Sequence, residues 1–248
     1  MATSGAISTL SVSGSPHTIQ AVYTNTDGSF SGSSGTVSQT VNPAPTSTTV
    51  TSSVNPSILG QSVTFTAKVA NISGPGISTA TPTGSVQFKD GTTLLGAPQM
   101  VSGLGSATLT TSALALGAHP ITAVYTNIDG NFTGSTSSAL TQVVVDFSIT
   151  ATPTAQTIPS GHQAIYSVTI TPISGLTGTI ALSCSGAPLN STCSVSPSTD
   201  TLQGTALTST VTLFANKNVN HGTFTLTFTG TLVGGNLTHS ATVQLTVK

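Results

Sequence analysis

A sixteen-residue stretch is written twice in this chain, and the distance between the two copies sets the scale of anything it can fold into. His17-Thr-Ile-Gln-Ala-Val-Tyr-Thr-Asn-Thr-Asp-Gly-Ser-Phe-Ser-Gly32 returns as His119-Pro-Ile-Thr-Ala-Val-Tyr-Thr-Asn-Ile-Asp-Gly-Asn-Phe-Thr-Gly134. From Tyr23 to Tyr125 the spacing is 102 residues (125 minus 23). Solenoid repeats recur every ~20–50 residues, whereas roughly 100 residues make one small β-sandwich. The repeating unit is therefore a domain.

Inside each copy the apolar residues alternate: Ile19, Ala21 and Tyr23 in the first, Ile121, Ala123 and Tyr125 in the second. A period of two is that of a β-strand with one buried face. Asn-x-Asp-Gly then ends the run with residues that bond their own backbone and tolerate positive φ, and one Phe follows as an anchor (Phe30, Phe132). Each copy reads as strand, tight loop, strand, with Ile121, Ala123, Tyr125 and Phe132 as repeat core. Equivalence of the copies places Tyr23 and Tyr125 at matching buried positions.

The pattern Gly-x-His-x-Ile-x-Ala-x-Tyr, running from Gly117 to Tyr125 and followed by Asp129-Gly-x-Phe132, resembles the bacterial Ig-like repeat of very large secreted and cell-surface proteins. The resemblance implies tandem β-sandwiches, a location outside the cell or on its surface, and a structural or adhesive role. A second segment, Leu182-Ser-Cys-Ser-Gly186 with Cys193-Ser-Val-Ser-Pro197, resembles an Ig-like module of another subtype.

Three domains follow. Residues 1–44 hold three strand signals, about Ala6 to Leu10, His17 to Thr24 and Thr36 to Val41, which match only the last three strands of the next domain. Asn42-Pro-Ala-Pro45 is a stiff linker, since proline cannot donate to a ladder. Residues 45–145 form a complete domain of about seven strands, with Asp90-Gly91 as its strongest hairpin signal. Residues 146–248 form another, entered without a linker through Val143-Val-Val-Asp-Phe-Ser-Ile149, a junction expected to be stiff. In that domain the alternating positions include Ala164, Tyr166, Val168 and Ile170, then Phe224, Leu226 and Phe228.

Composition supports an all-β fold and excludes several functions. The chain has four Lys, no Arg and no Glu, five Asp, and a formal net charge of −1. The strongest helix formers are thus scarce, while Thr and Val favour strands. Four scattered Lys cannot neutralise phosphates or bind an anionic bilayer, so neither nucleic acid nor membrane is an expected partner. No apolar run approaches the ~20 residues of a membrane span, and the first residues, Met-Ala-Thr-Ser-Gly, lack the basic and apolar parts of a signal peptide.

No catalytic, cofactor or metal site is expected. The five His lie far from one another and from carboxylates in sequence, no nucleophile elbow is present, and without Glu there is no paired-carboxylate site. Asp27 and Asp129 offer one carboxylate per loop, too few for calcium, which takes 6–8 oxygens. A platform for carbohydrate usually needs exposed aromatics, and the chain has no Trp and three Tyr, all at inward positions of the pattern. Glycans and other surface proteins stay open as partners; Asn71, Asn131, Asn190 and Asn236 begin glycosylation sequons, and Ser and Thr could carry O-linked sugar.

Cys184 and Cys193 are the only cysteines. A hairpin turning within Gly186–Asn190 would set them opposite each other at about 4.5–5.5 Å between Cα atoms, suiting a disulfide that stabilises by roughly 2–3 kcal/mol. Two reduced buried thiols, or a metal site needing further ligands, are the alternatives.

Three strands cannot close a two-sheet sandwich. In residues 1–44, Ile19, Ala21, Tyr23 and Phe30 would then face water beside unpaired strand edges. The expectation is assembly: a second copy of the chain completes the half domain by strand or sheet complementation, and repetition of that unlike-face contact gives a filament. The alternatives are a monomeric spacer segment of a long cell-surface adhesin and, behind it, a carbohydrate-binding module.

Overall fold

A computed structural model describes residues 3, 5, 7, 10–74 and 80–248. Among these there is no helix, only nineteen strands and their turns. The chain divides into two compact units. One comprises Met1–Ser53, Val63–Thr111 and His119–Thr141; the other Val54–Ser62, Ser112–Ala118 and Gln142–Lys248.

The first unit opens with an antiparallel ribbon of β1 (His17–Tyr23) and β2 (Ser33–Gln39). The expected strand from Ala6 to Leu10 falls largely outside the described residues. Along the chain after the ribbon come β3 (Thr46–Ser52), β4 (Ser57–Ile58), which belongs to the second unit, β5 (Val63–Asn71), β6 (Ser85–Asp90), β7 (Thr93–Met100) and β8 (Ser106–Thr111). β9 (Gly117–Thr126), β10 (Ser135–Thr136) and β11 (Leu140–Thr152) follow. β3, β5 and β8 make one sheet; β6 lies between β7 and β9 in another, with β10 on the far edge of β9.

Alternation decides which residues form the core. Val63, Phe65, Ala67 and Val69 of β5, Val86 and Phe88 of β6, and Ile121, Ala123 and Tyr125 of β9 are all buried. Their neighbours Thr64, Thr66 and Lys68 turn outward. The β6–β7 hairpin turns at Gly91, whose φ of 56° is the left-handed conformation glycine adopts without a Cβ clash. On the edge strand β7, Pro98 and Gly96 interrupt a run that would otherwise offer a continuous ladder to a neighbour.

In the second unit, β12 (Ala155–Ile158), β13 (Gln163–Ile173), β14 (Thr177–Ser185), β15 (Ser191–Ser196), β16 (Thr199–Gln203), β17 (Leu207–Ala215), β18 (Gly222–Leu232) and β19 (Thr238–Val247) complete the series. The order β12-β19-β18-β14-β16 forms one sheet, and β15-β17-β13-β11 forms the opposing one, with β4 paired in parallel to β11. Between them lies a continuous core that includes Phe147, Tyr166, Ile180, Leu213, Phe228 and Leu245. The fold is that of an Ig-like β-sandwich.

Cys184 and Cys193 form a disulfide with Cα atoms 6.2 Å apart, but not as a hairpin pair. Cys184 on β14 lies opposite Phe228 of β18, and Cys193 on β15 lies opposite Leu213 of β17. The residues between them cross from one sheet to the other, so the bond ties the two sheets together. The hairpin reading failed because neighbouring strands in sequence need not be neighbours in a sheet.

Candidate interaction surface

Locally, the two copies of the repeat fold alike. β1 meets β2 with Tyr23 opposite Ser33, and β9 meets β10 with Tyr125 opposite Ser135. In both loops the Asn side chain accepts from the Asp backbone (Asn25 from Asp27, Asn127 from Asp129, each 3.2 Å). The Asp carboxylate then accepts from the N–H two residues on, Ser29 at 2.8 Å and Asn131 at 2.9 Å. These bonds need only the loop's own residues, so sequence alone dictates them.

Burial does not repeat. Tyr125 is 2% exposed and Phe132 7%, whereas Tyr23 is 49% and Phe30 72%. Ile19 is half-buried, and Ala21 and Val22 are exposed. The expectation that Tyr23 shares the buried position of Tyr125 is overturned, and the cause is visible in the second copy. There β6 lies along β9, with Val86 opposite Tyr125, Phe88 opposite Ala123 and Asp90 opposite Ile121. No described strand covers the same edge of β1. Ile19, Ala21 and Tyr23 thus lie on a two-stranded ribbon and Phe30 in the loop that joins its strands, an arrangement only marginally stable in water without further strands.

Polar groups in the second copy are held by the segment that covers it. The Tyr125 hydroxyl donates to the Thr83 carbonyl at 2.5 Å, and Asn127 Nδ2 donates to the same oxygen at 3.0 Å. Thr83 Oγ1 donates to Asp129 Oδ2 at 2.5 Å. That bond, first, and the Asn131 N–H hold the Asp129 carboxyl down to about 2. Asp27 is also lowered, by the Ser29 N–H and hydroxyl, within its own loop. Burial raises the Tyr125 hydroxyl above its ordinary value.

Histidines show the same contrast. His119 Nδ1 lies 2.7 Å from Asp90 Oδ2; His17 Nε2 instead lies 2.6 Å from the Ser11 carbonyl oxygen. In the second unit, His239 Nε2 lies 2.7 Å from Asp146 Oδ1, with its ring edge-on to Phe147 at 4.9 Å. Sequence distance hid both pairs. A signal did exist for the first: Asp90 ends a strand at a hairpin turn and His119 stands at the mouth of a strand, which antiparallel neighbours bring to the same end.

Asn42-Pro-Ala-Pro45 is not a free tether. Ala44 N donates to the Asn131 carbonyl at 2.8 Å, and Thr133 N donates to the Ala44 carbonyl at 2.9 Å. The Thr46 hydroxyl adds a bond to the Thr133 carbonyl at 2.7 Å. Among the described residues, no group of three or more His, Cys, Asp or Glu side chains could hold a metal ion, and no helix is long and apolar enough to cross a membrane.

Residues 48–145 match the family profile of the bacterial Ig-like domain (group 3). A search of curated proteins finds no match to the chain. Among solved structures the chain is similar to the fibronectin(III)-like modules of Clostridium thermocellum CbhA, at 16% identity over 81% of this chain and 94% of that one, with a TM-score of 0.31. It is also similar to Rst D1-D2 (13% identity, 81% and 100% covered, TM-score 0.35) and to the D00-D0 domain of intimin (13%, 80% and 98%, TM-score 0.42).

Proposed function

We propose that this chain, whose residues 48–145 are a bacterial Ig-like domain, is a non-enzymatic structural protein that works outside the cell and joins copies of itself head to tail through its N-terminal ribbon. The observation that carries the reading is the exposed first copy of the repeat. Side chains buried in one context, Tyr125 and Phe132, have counterparts left in water, Tyr23 and Phe30. Unpaired strand edges beside exposed apolar residues are templates for pairing with another chain. Main-chain hydrogen bonds supply affinity in such complementation, and alternate side chains set the register. When the two surfaces differ and the rotation does not close, the product is an open filament.

An extracellular setting agrees with the Cys184–Cys193 bond, since disulfides persist in oxidising compartments. The proposal divides the chain into 1–44 as half domain, 45–145 and 146–248 as complete domains, and takes glycans or other surface proteins as secondary partners.

A second reading, a monomeric spacer of a long surface array, is favoured by one observation: β6 is engaged on both edges, by β7 and β9. The test is deletion of residues 1–44, followed by size-exclusion chromatography and electron microscopy. Head-to-tail joining predicts concentration-dependent filaments for the intact chain and none for the deletion. A monomer at high concentration, or filaments that survive the deletion, removes the proposal.

A further inference from the structure

The repeat also specifies what the open edge of β1 should take. In the second copy, six side chains meet the segment Thr83–Asp90. Ile121, Ala123 and Tyr125 lie opposite Asp90, Phe88 and Val86. His119 bonds the Asp90 carboxylate, Tyr125 and Asn127 donate to the Thr83 carbonyl, and Asp129 accepts from the Thr83 hydroxyl. All six recur 102 residues earlier, as His17, Ile19, Ala21, Tyr23, Asn25 and Asp27. In the ribbon, β1 carries β2 on the edge where β9 carries β10, as the matching registers at Tyr23 and Tyr125 require. Its other edge corresponds to the one that β6 occupies along β9.

We propose that residues 17–27 are a docking site for one kind of partner, an antiparallel β-strand of the pattern Thr-x-x-Val-x-Phe-x-Asp from the front half of an Ig-like domain. The strand's Val lies opposite Tyr23, its Phe opposite Ala21 and its Asp opposite Ile19, where the carboxylate reaches His17. At the other end, its Thr carbonyl takes the Tyr23 hydroxyl and the Asn25 amide, and its Thr hydroxyl donates to Asp27. Specificity comes from both ends at once: an acid meets the histidine where the strand ends, and a threonine meets the Asn-x-Asp loop where it begins. This rests on the reading of the ribbon as a joining surface, in which the donor is residues 83–90 of the next copy, exchanging β9 for β1. Because the six contacting residues are identical in the two copies, such an exchange regains along β1 the pairing contacts that it breaks along β9.

The test titrates a fluorescent peptide of residues 82–91 with the intact chain, held dilute enough to prevent self-association, and follows anisotropy. Saturable binding is expected. It weakens about tenfold for the peptide carrying Asp90→Ala, which loses a charge-assisted bond. It weakens by at least about tenfold for the chain carrying Ala21→Arg, which sets a charge against the incoming Phe. Ala21 is exposed, so that variant keeps its fold. No saturable binding, or binding that neither Asp90→Ala in the peptide nor Ala21→Arg in the chain weakens, overturns the docking site. Peptide binding by a chain that stays monomeric upholds the site while removing head-to-tail joining. Filaments that depend on residues 1–44 without peptide binding do the reverse.

Discussion

β1 and β9 carry nearly the same residues and end in very different places. Ile, Ala and Tyr alternate in both, and both loops close with the same Asn and Asp bonds. Yet one strand sits in a core and the other on a ribbon, because only β9 has β6 beside it. Local hydrogen bonding belongs to the sequence of the loop; burial belongs to whichever strand arrives from elsewhere. The pair teaches that an alternating pattern predicts a strand and the face it would bury, but not whether anything covers that face.

Substitutions at matched positions sharpen the contrast. The largest effect is expected at the anchors. Phe132→Ala empties a buried site and should cost about 3 kcal/mol, whereas Phe30→Ala, on an exposed ring, should stay within about 0.5 kcal/mol. Denaturant midpoints of the two variants decide it, and equal losses would mean that Phe30 is covered in solution.

Removing a single hydroxyl is a finer probe. Tyr125→Phe loses the bond to the Thr83 carbonyl and should cost about 1 kcal/mol. Tyr23→Phe has no such partner on the ribbon and should leave thermal unfolding unchanged.

The smallest effect concerns acid. The Asp129 carboxyl is held down to about 2 by the Thr83 hydroxyl and the Asn131 N–H, against an ordinary value of about 3.9 in an unfolded chain. A depressed folded value means that the stabilisation is fully present above about pH 4 and is lost as pH falls through about 2. Asp129→Ala should therefore flatten the acid limb of stability between those limits. Asp27 is lowered only by its own loop, so Asp27→Ala should leave the unfolding of the second domain unmoved at every pH. Melting temperatures measured from pH 5 to pH 2 test both.

What could be read from sequence follows the same division. The all-β class, the strands from Val63 to Val69 and from Ala164 to Ile170, and the Asp90-Gly91 hairpin are written in short-range patterns, and the structure has them. Long-range partners are not so written. Cys184 and Cys193 are nine residues apart, yet their strands join different sheets, since the ladder partners of β14 come from residues 199–203 and 222–232. Asp90 and His119 were unrelated in sequence until antiparallel pairing of β6 and β9 brought them together. Tyr23 carries two conflicting signals: its alternating pattern is that of a buried tyrosine, while the missing front half of its domain leaves it in water, and the structure follows the second because no described strand covers it.

Amide hydrogen exchange on the intact dilute chain separates an open first copy of the repeat from a covered one. Strands of a closed core exchange through unfolding of the sandwich, while an isolated ribbon opens at almost no cost. Amides of Ile19 to Tyr23 should exchange on the order of a hundredfold faster, or more, than those of Ile121 to Tyr125. Equal protection of the two copies would contradict an open ribbon, because the first copy would then be as covered as the second.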